Sequence, residues 1–342
     1  MDARETFNST SIEETISSSI SKHPAPFQAL YQTASPHVYV AACAMDSLEM
    51  DPKSLFIECT PTHKNTNSAS SYPPSFRSSH FEYISPKSFG HKLPTYDRPD
   101  LPPIPEIAIL GKSNVGKSSL INSLTRKRDL AKTSKTPGRT QQINYFGFFS
   151  KESIQEESMT SSSVNKRDPP SNISPSRAVA FLIDLPGYGY AEAPVDRVVK
   201  WQDTTQDFLQ HRRETGVLKR LYVLVDSRHG LSYTDRAVLG WLDDAEIPYC
   251  IVLTKADRIG RPMLVRYAND ICMRYHSQTF NQGYVNQAMG IPDDEDDTDH
   301  FRTTHGLQSP LLHVTSSKSG EGIHELMWTI HRDLFDPYIF TP

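Results

Sequence analysis

The 342-residue sequence predicts an α/β fold: a doubly wound, mostly parallel sheet with one antiparallel edge strand, preceded by a disordered extension. Three observations carry that prediction. From Pro105 onward, short and uniformly apolar runs alternate with helical patterns, as strands buried on both faces do. The first of these runs leads through a glycine-rich loop into a helix. The polar excess sits elsewhere: 13 of the 25 prolines precede Glu106, in a stretch rich in Ser and Thr.

The runs come in order. "EIAIL" at 106–110 precedes the helical "SSLINSL" at 118–124. "INYFGFF" at 143–149 and "AVAFLID" at 178–184 have no helical pattern between them, so they read as an antiparallel hairpin at the sheet edge. Its tip is inflated by a Ser-rich insertion at 150–177. "RLYVLVD" at 220–226, "YCIVLT" at 249–254 and "LLHVT" at 311–315 complete the alternation. A second insertion, 277–309, holds "DDEDDTD" at 293–299. A calcium loop needs spaced ligands, a turn glycine and a terminal glutamate, so this run reads as a solvated loop. The organised domain is thus expected over 104–342.

Residues 1–100 contain tracts such as "NTNSASSYPPSFRSS" at 65–79. Such composition buries too little apolar surface to offset its ordering entropy, so this extension is expected to be mostly disordered, with one short docked piece around 37–59. Its first residues include Asp2, Glu5, Glu13 and Glu14, a poor match to an Arg-rich, acid-poor transit peptide.

Mean hydropathy is −0.51. A net charge of −4 does not suggest a generic nucleic-acid coat, but leaves room for a local basic face. Cys43, Cys59, Cys250 and Cys272 form no CxxC pair, and read as free thiols in a reducing compartment. The longest apolar candidate, "VYVAACAM" at 38–45, is far shorter than the ~18 residues of a membrane helix. A soluble protein with no membrane span is expected.

The loop Gly111-Lys112-Ser113-Asn114-Val115-Gly116-Lys117-Ser118, followed by Ser119, has phosphate-binding spacing. Its successive N–H groups would wrap a β-phosphate, and the helix N-terminus adds favourable partial charge. Lys117 would reach the β- and γ-phosphates, and Ser118 would ligate Mg²⁺. The stretch Asp184-Leu185-Pro186-Gly187 ends a buried run, placing Asp184 where a magnesium carboxylate belongs. Gly187 can then offer its N–H to a γ-phosphate, so this turn can sense it. In Thr254-Lys255-Ala256-Asp257, the carboxylate of Asp257 is placed to accept guanine N1–H and N2–H₂, with Lys255 across the base plane. Thr315, Ser316 and Ser317 follow the last run, with the two serines placed to meet guanine O6. Taken alone, Asp257 is an ordinary helix cap. Four motifs in order, each at the C-terminal end of an expected strand, are far more specific, because ligands of open α/β sheets bind there. They imply GTP and GDP. A metabolite kinase is disfavoured, since it needs no base-reading pair.

These motifs resemble the EngB (YihA/YsxC) family of GTPases, a bacterial-type group also found in organelles. The resemblance covers Ile104 to the C-terminus apart from the two insertions, and rests on "GKSNVGKSSLIN", "TSKTPGRTQQINYF" at 133–146, "DLPGYGYA" at 184–191, "DSRHG" at 226–230 and "LTKAD" at 253–257. The family usually has Arg where Lys112 stands and Lys where Arg139 stands; Thr254 agrees with it. The resemblance implies a P-loop GTPase fold and a Mg²⁺-dependent switch. It also implies that Thr140, after Gly138 and Arg139, ligates Mg²⁺ in the GTP form. "KTPGRT" supports this, since Pro137-Gly138 makes a turn that can remodel. The role it implies is assistance in assembling the large ribosomal subunit, in a mitochondrion or other organelle. The acidic N-terminus argues against simple import, which leaves a cytoplasmic location as the alternative. The extension and insertions are foreign to bacterial members.

Many GTPases orient the attacking water with a glutamine directly after the glycine of this turn; here Tyr188 stands there. A phenol of pKa about 10 is a poor base at neutral pH, so intrinsic turnover is expected to be slow unless charge is supplied from elsewhere. The candidate catalytic residues are therefore Lys117, Thr140, Gly187 and Asn114, whose amide oxygen could hold a potassium ion beside the phosphates. The competing reading of Asn114 is tolerance of an unusual backbone angle. Arg126, Lys127, Arg128, Lys132, Lys135 and Arg139 form a basic run beside the switch, and Arg212, Arg213, Lys219 and Arg220 a second group. The competing reading is an ordinary solvated face; the run contiguous with the switch is expected to face ribosomal RNA or a large-subunit precursor, with the protein a monomer. The competing class is a regulatory GTPase of division or trafficking that binds protein.

Overall fold

The structure, a computed structural model, describes residues 30–32, 37–41, 72–84, 103–132, 143–150, 177–188, 195–276 and 308–335. In chain order its elements are β1 Leu30–Gln32, β2 Val38–Ala41, α1 Pro74–Ser78, β3 His80–Ile84, β4 Glu106–Gly111, α2 Lys117–Thr125, β5 Asn144–Phe149 and β6 Ala178–Asp184. They continue with α3 Val195–Glu214, β7 Leu218–Asp226, α4 Tyr233–Asp244, β8 Tyr249–Thr254, α5 Arg261–His276, β9 Gln308–Val314 and α6 Ile323–Phe335.

One sheet runs β1-β2-β9-β8-β7-β4-β6-β5-β3. Its middle, from β9 to β6, is parallel throughout. β4 and β8 are buried at every position because both faces are covered. On one face Ala108 and Leu110 pack with Phe208 and Leu209 of α3, Leu239 and Leu242 of α4, and Leu264 and Ala268 of α5. On the other, Ile107 and Ile109 pack with Leu120 and Leu124 of α2 and Leu326 and Ile330 of α6. This is the doubly wound arrangement that uniformly apolar runs require. Every parallel strand ends on the same side, and the candidate motifs gather there. Among the described residues, no helix is long and apolar enough to cross a membrane.

Two expectations about the edges are corrected. The β5–β6 hairpin is antiparallel, but β5 is not the edge: β3 pairs along it from His80 opposite Phe149 to Ile84 opposite Tyr145. At the far side β2 pairs antiparallel with β9, and β1 with β2. Within residues 1–100, therefore, the segments 30–32, 37–41 and 72–84 are integral to the sheet. The rest of that extension lies outside the described residues, as do 151–176 and 277–307. The physical reason is that an uncovered β5 would present unpaired backbone groups and bare aromatic rings. Phe76 and Phe81 instead meet Phe148, with ring centroids 5.4 and 4.6 Å away.

The second basic group is corrected as well. Arg212 is fully buried, its Nε 3.2 Å from Glu106 Oε2. Arg220 is also buried, its Nε 2.7 Å from Asp333 Oδ2, which accepts the Tyr222 hydroxyl at 2.6 Å. Arg213 pairs with Glu246, and Lys219 donates to the Gly216 carbonyl. Two of these four charges thus fasten helices to the sheet rather than face solvent.

Candidate nucleotide site

The loop 111–118 joins β4 to α2. Gly111 has no space for a side chain, since a Cβ would come within 2.9 Å of the Leu224 carbonyl oxygen. Gly116 sits at φ 118°, which favours glycine, and Asn114 adopts the left-handed φ of 63°. Asn114 is exposed, as is Ser119, while Val115 is buried beneath the loop. Lys117 opens α2, and its Nζ curls back to donate to the Gly111 and Lys112 carbonyls at 3.1 and 3.5 Å. Burial lowers the Lys117 pKa, against the pull of Asp184. Ser118 follows in the first turn of α2.

Asp184 ends β6 and is buried. Burial pushes its carboxyl up to about 6, with Lys117 and a hydrogen bond from Asn144 opposing. Its Oδ1 has no hydrogen-bond partner among the described residues. A buried carboxylate oxygen without a donor, close enough to the Lys117 ammonium to interact with it, fits a hydrated divalent cation. Among the described residues no three His, Cys, Asp or Glu side chains group as ligands. A magnesium site that completes its shell with phosphate oxygens and waters needs no such cage.

Leu185 and Pro186 are buried, and Leu185 N–H donates to the Ile109 carbonyl at 3.0 Å. This pins the turn to the sheet. Gly187 then lies against the loop: a Cβ there would be 2.7 Å from Lys117 Nζ and 3.0 Å from Ser113 N. Ser113 N–H donates to the Tyr188 carbonyl at 3.1 Å. The Tyr188 ring points into the core, and its hydroxyl donates to Asp235 Oδ1 at 2.9 Å. Burial raises its pKa further, with Asp235 adding to the rise. Tyr188 is no general base.

The motifs expected to read the base meet the loop from the other side. The Thr254 hydroxyl donates to the Val115 carbonyl at 2.9 Å, and Lys255 Nζ to the Asn114 carbonyl at 2.6 Å. Lys255 also holds Asp226 at 2.8 Å, and Ala256 N–H reaches the Thr315 carbonyl at 3.1 Å. Thr315 is buried and bonds the Leu253 carbonyl. The Ser316 hydroxyl donates to Asp257 Oδ1 at 2.7 Å and accepts from the N–H groups of Lys318 and Ser319. Ser316 therefore orients Asp257 through its hydroxyl. The Ser317 carbonyl accepts from Ser123 of α2.

Gly138, Arg139 and Thr140 lie outside the described residues, as does Lys135. Of the basic run, Arg126, Arg128 and Lys132 are exposed. The Arg126 guanidinium lies 4.7 Å from the Tyr72 ring centroid, and Lys127 Nζ donates to the Phe81 carbonyl. Sequence reading missed Asp226 as the partner of Lys255, although "DSRHG" begins on it. It also missed the Ser232–Asp235 pair, whose spacing is that of a helix capping box.

A family model described as a 50S ribosome-binding GTPase matches residues 106–255. A probable GTP-binding protein EngB of Mesorhizobium japonicum is 38% identical over 228 residues, covering 66% of this chain and 84% of that protein. Its counterpart in Rhodospirillum rubrum is 36% identical over 231 residues, covering 68% and 74%. One in Rhizobium etli is 44% identical over 160 residues, covering 46% and 63%. Among solved structures, a probable GTP-binding protein engB matches at 19% identity and a TM-score of 0.38, over 67% of this chain and 98% of that one. With relatives above one third identity matched over most of their length, the chain belongs to the EngB family of GTP-binding proteins and is a GTPase.

Proposed function

We propose that this GTPase is a Mg²⁺-dependent switch that assists assembly of a large ribosomal subunit, binding the RNA of a precursor particle in its GTP form. One observation carries the reading. The exposed charges of Arg126, Arg128 and Lys132 stand at the end of α2, directly before the segment that contains Thr140, in a chain of net charge −4. RNA phosphates suit such a patch, through contacts that are sequence-independent and salt-sensitive. The description of the matching family, a 50S ribosome-binding GTPase, supports the same partner.

In this reading the loop N–H groups and Lys117 hold the phosphates, and Asp257 accepts from guanine. Ser118, Asp184 and Thr140 hold Mg²⁺. When bound, that ion neutralises charge on the β- and γ-oxygens. Gly187 donates its N–H to the γ-phosphate, and loss of that phosphate releases the Thr140 segment. Co-sedimentation with large-subunit particles is expected in a non-hydrolysable GTP analogue and lost in GDP. Arg128→Glu with Lys132→Glu should weaken it while leaving nucleotide affinity unchanged. Each phosphate contact removed should flatten the salt slope by roughly 0.7–0.9. Binding indifferent to nucleotide and to these charges would instead favour a regulatory GTPase with a protein partner.

Asn114, within the loop, is also proposed to hold a potassium ion through its amide, although its left-handed φ of 63° fits the competing backbone reading as well. Replacing sodium with potassium should then raise GTP turnover by roughly tenfold or more. Asn114→Gly keeps the backbone conformation and should abolish the difference with GDP affinity retained. Equal rates in the two salts would remove the cation from the mechanism.

A further inference from the structure

One chain of hydrogen bonds reaches both phosphate-sensing elements and is not used by the nucleotide chemistry above. The Tyr188 hydroxyl donates to Asp235 Oδ1 at 2.9 Å. Asp235 Oδ2 accepts from the N–H and hydroxyl of Ser232 at 2.8 and 2.6 Å. Ser232 Oγ in turn accepts from Lys112 Nζ at 2.7 Å. Ser232 and Asp235 form the capping box of α4. An ordinary capping box satisfies only its own helix end. Here the second carboxylate oxygen takes the phenol that follows the Gly187 turn, and the serine takes the lysine of the phosphate loop. Asp235 and Tyr188 are 3% and 2% exposed, so the bond between them is screened from water and charge-assisted.

The backbone shows what this chain holds in place. The Tyr188 carbonyl sits on Ser113 N–H, and a Cβ on Gly187 would come within 3.0 Å of Ser113 N and 3.2 Å of the Gly111 carbonyl oxygen. We propose that Tyr188 and Asp235 are positioning residues for GTP hydrolysis: their buried hydrogen bond, continued through Ser232 to Lys112, fixes Gly187 at the phosphate loop and couples the turn to the start of α4. The inference rests on the reading of Gly187 as the γ-phosphate sensor. Neither side chain touches the reacting atoms. They act by limiting where the Gly187 N–H can be, and misplacement of about 1 Å is enough to slow a reaction markedly.

The test is Tyr188→Phe, which removes one oxygen and keeps the ring. Its kcat for GTP should fall by roughly ten- to a hundredfold, while GDP affinity stays within about twofold, because GDP has no γ-phosphate to be read. Asp235→Ala should slow turnover at least as much and lower the thermal midpoint by removing the cap. The double variant should be no slower than Asp235→Ala, since both changes break one bond. A Tyr188→Phe enzyme that turns over at the wild-type rate overturns the proposal, as do single losses that multiply in the double variant. Where Asp235→Ala fails to fold, Tyr188→Phe alone decides. Failure of the pocket reading is distinguishable: the wild-type protein would then bind GDP no better than ADP.

Discussion

Asp257→Asn is expected to lower GTP affinity by roughly a hundred- to ten-thousandfold and to make xanthosine triphosphate the preferred nucleotide. In the proposed reading the carboxylate accepts two guanine donors. Charge-assisted hydrogen bonds contribute about 1.5–3 kcal/mol each, and about 1.4 kcal/mol is a factor of ten. An asparagine amide turns one acceptor into a donor facing N1–H or N2–H₂, a repulsion that xanthine relieves. The structure makes the effect large because the carboxylate is oriented in advance. Ser316 donates to its Oδ1 at 2.7 Å, and Ser316 is itself fixed by the N–H groups of Lys318 and Ser319. Ser316→Ala should therefore cost a smaller factor, about tenfold, through loss of orientation. Competition by GTP, ATP and xanthosine triphosphate against a fluorescent GDP measures both. Equal competition by ATP and GTP in the wild-type protein would sink the assignment of the base.

The placement of the candidate motifs was legible because each motif is local in sequence. A phosphate loop needs two glycines and a lysine at a fixed short spacing, and a base-reading turn needs a carboxylate just past a buried strand. Periodicity then placed each on the correct end of the sheet, and the resemblance to EngB GTPases agrees with the relatives found. The sheet edges were not legible. "HFEYI" at 80–84 lies in Ser- and Pro-rich surroundings, and only the aromatic surface of β5, over 60 residues later, makes it a strand. Composition averages over neighbours in sequence, whereas burial depends on neighbours in space. Removing everything before residue 103 would uncover β5 and leave the Phe148 ring without Phe76 and Phe81. The same limit hid the Tyr188–Asp235 hydrogen bond, whose residues lie 47 apart. Sequence marked Tyr188 only as the wrong residue for a base.

Arg212→Leu is expected to destabilise the folded protein by about 3–5 kcal/mol near pH 8, and by less near pH 5. Arg212 read as a surface charge in sequence, but its side chain and that of Glu106 are both 0% exposed, with Nε 3.2 Å from Oε2. The guanidinium also donates to the Tyr145 hydroxyl at 2.8 Å and lies 5.3 Å from the Phe208 ring centroid. It therefore holds α3 to β4 and β5 at once. Removing it leaves a carboxylate buried without its cation. Burial already pushes Glu106 up to about 7 from its ordinary 4.5, with Arg212 pulling it down, so loss of Arg212 raises it further. An acid whose pKa is raised on folding binds its proton more tightly when folded. Its stabilising contribution is therefore complete below about 4.5 and is lost as pH climbs through the raised value. The Arg212→Leu defect should accordingly shrink on acidification, as Glu106 is neutralised in place. Combining Arg212→Met with Glu106→Gln should recover most of the loss at pH 8, because no uncompensated charge remains. Urea unfolding at pH 5 and pH 8 measures each step. A loss below about 1 kcal/mol at pH 8, or an equal loss at both pH values, would show that this pair does not carry a buried charge.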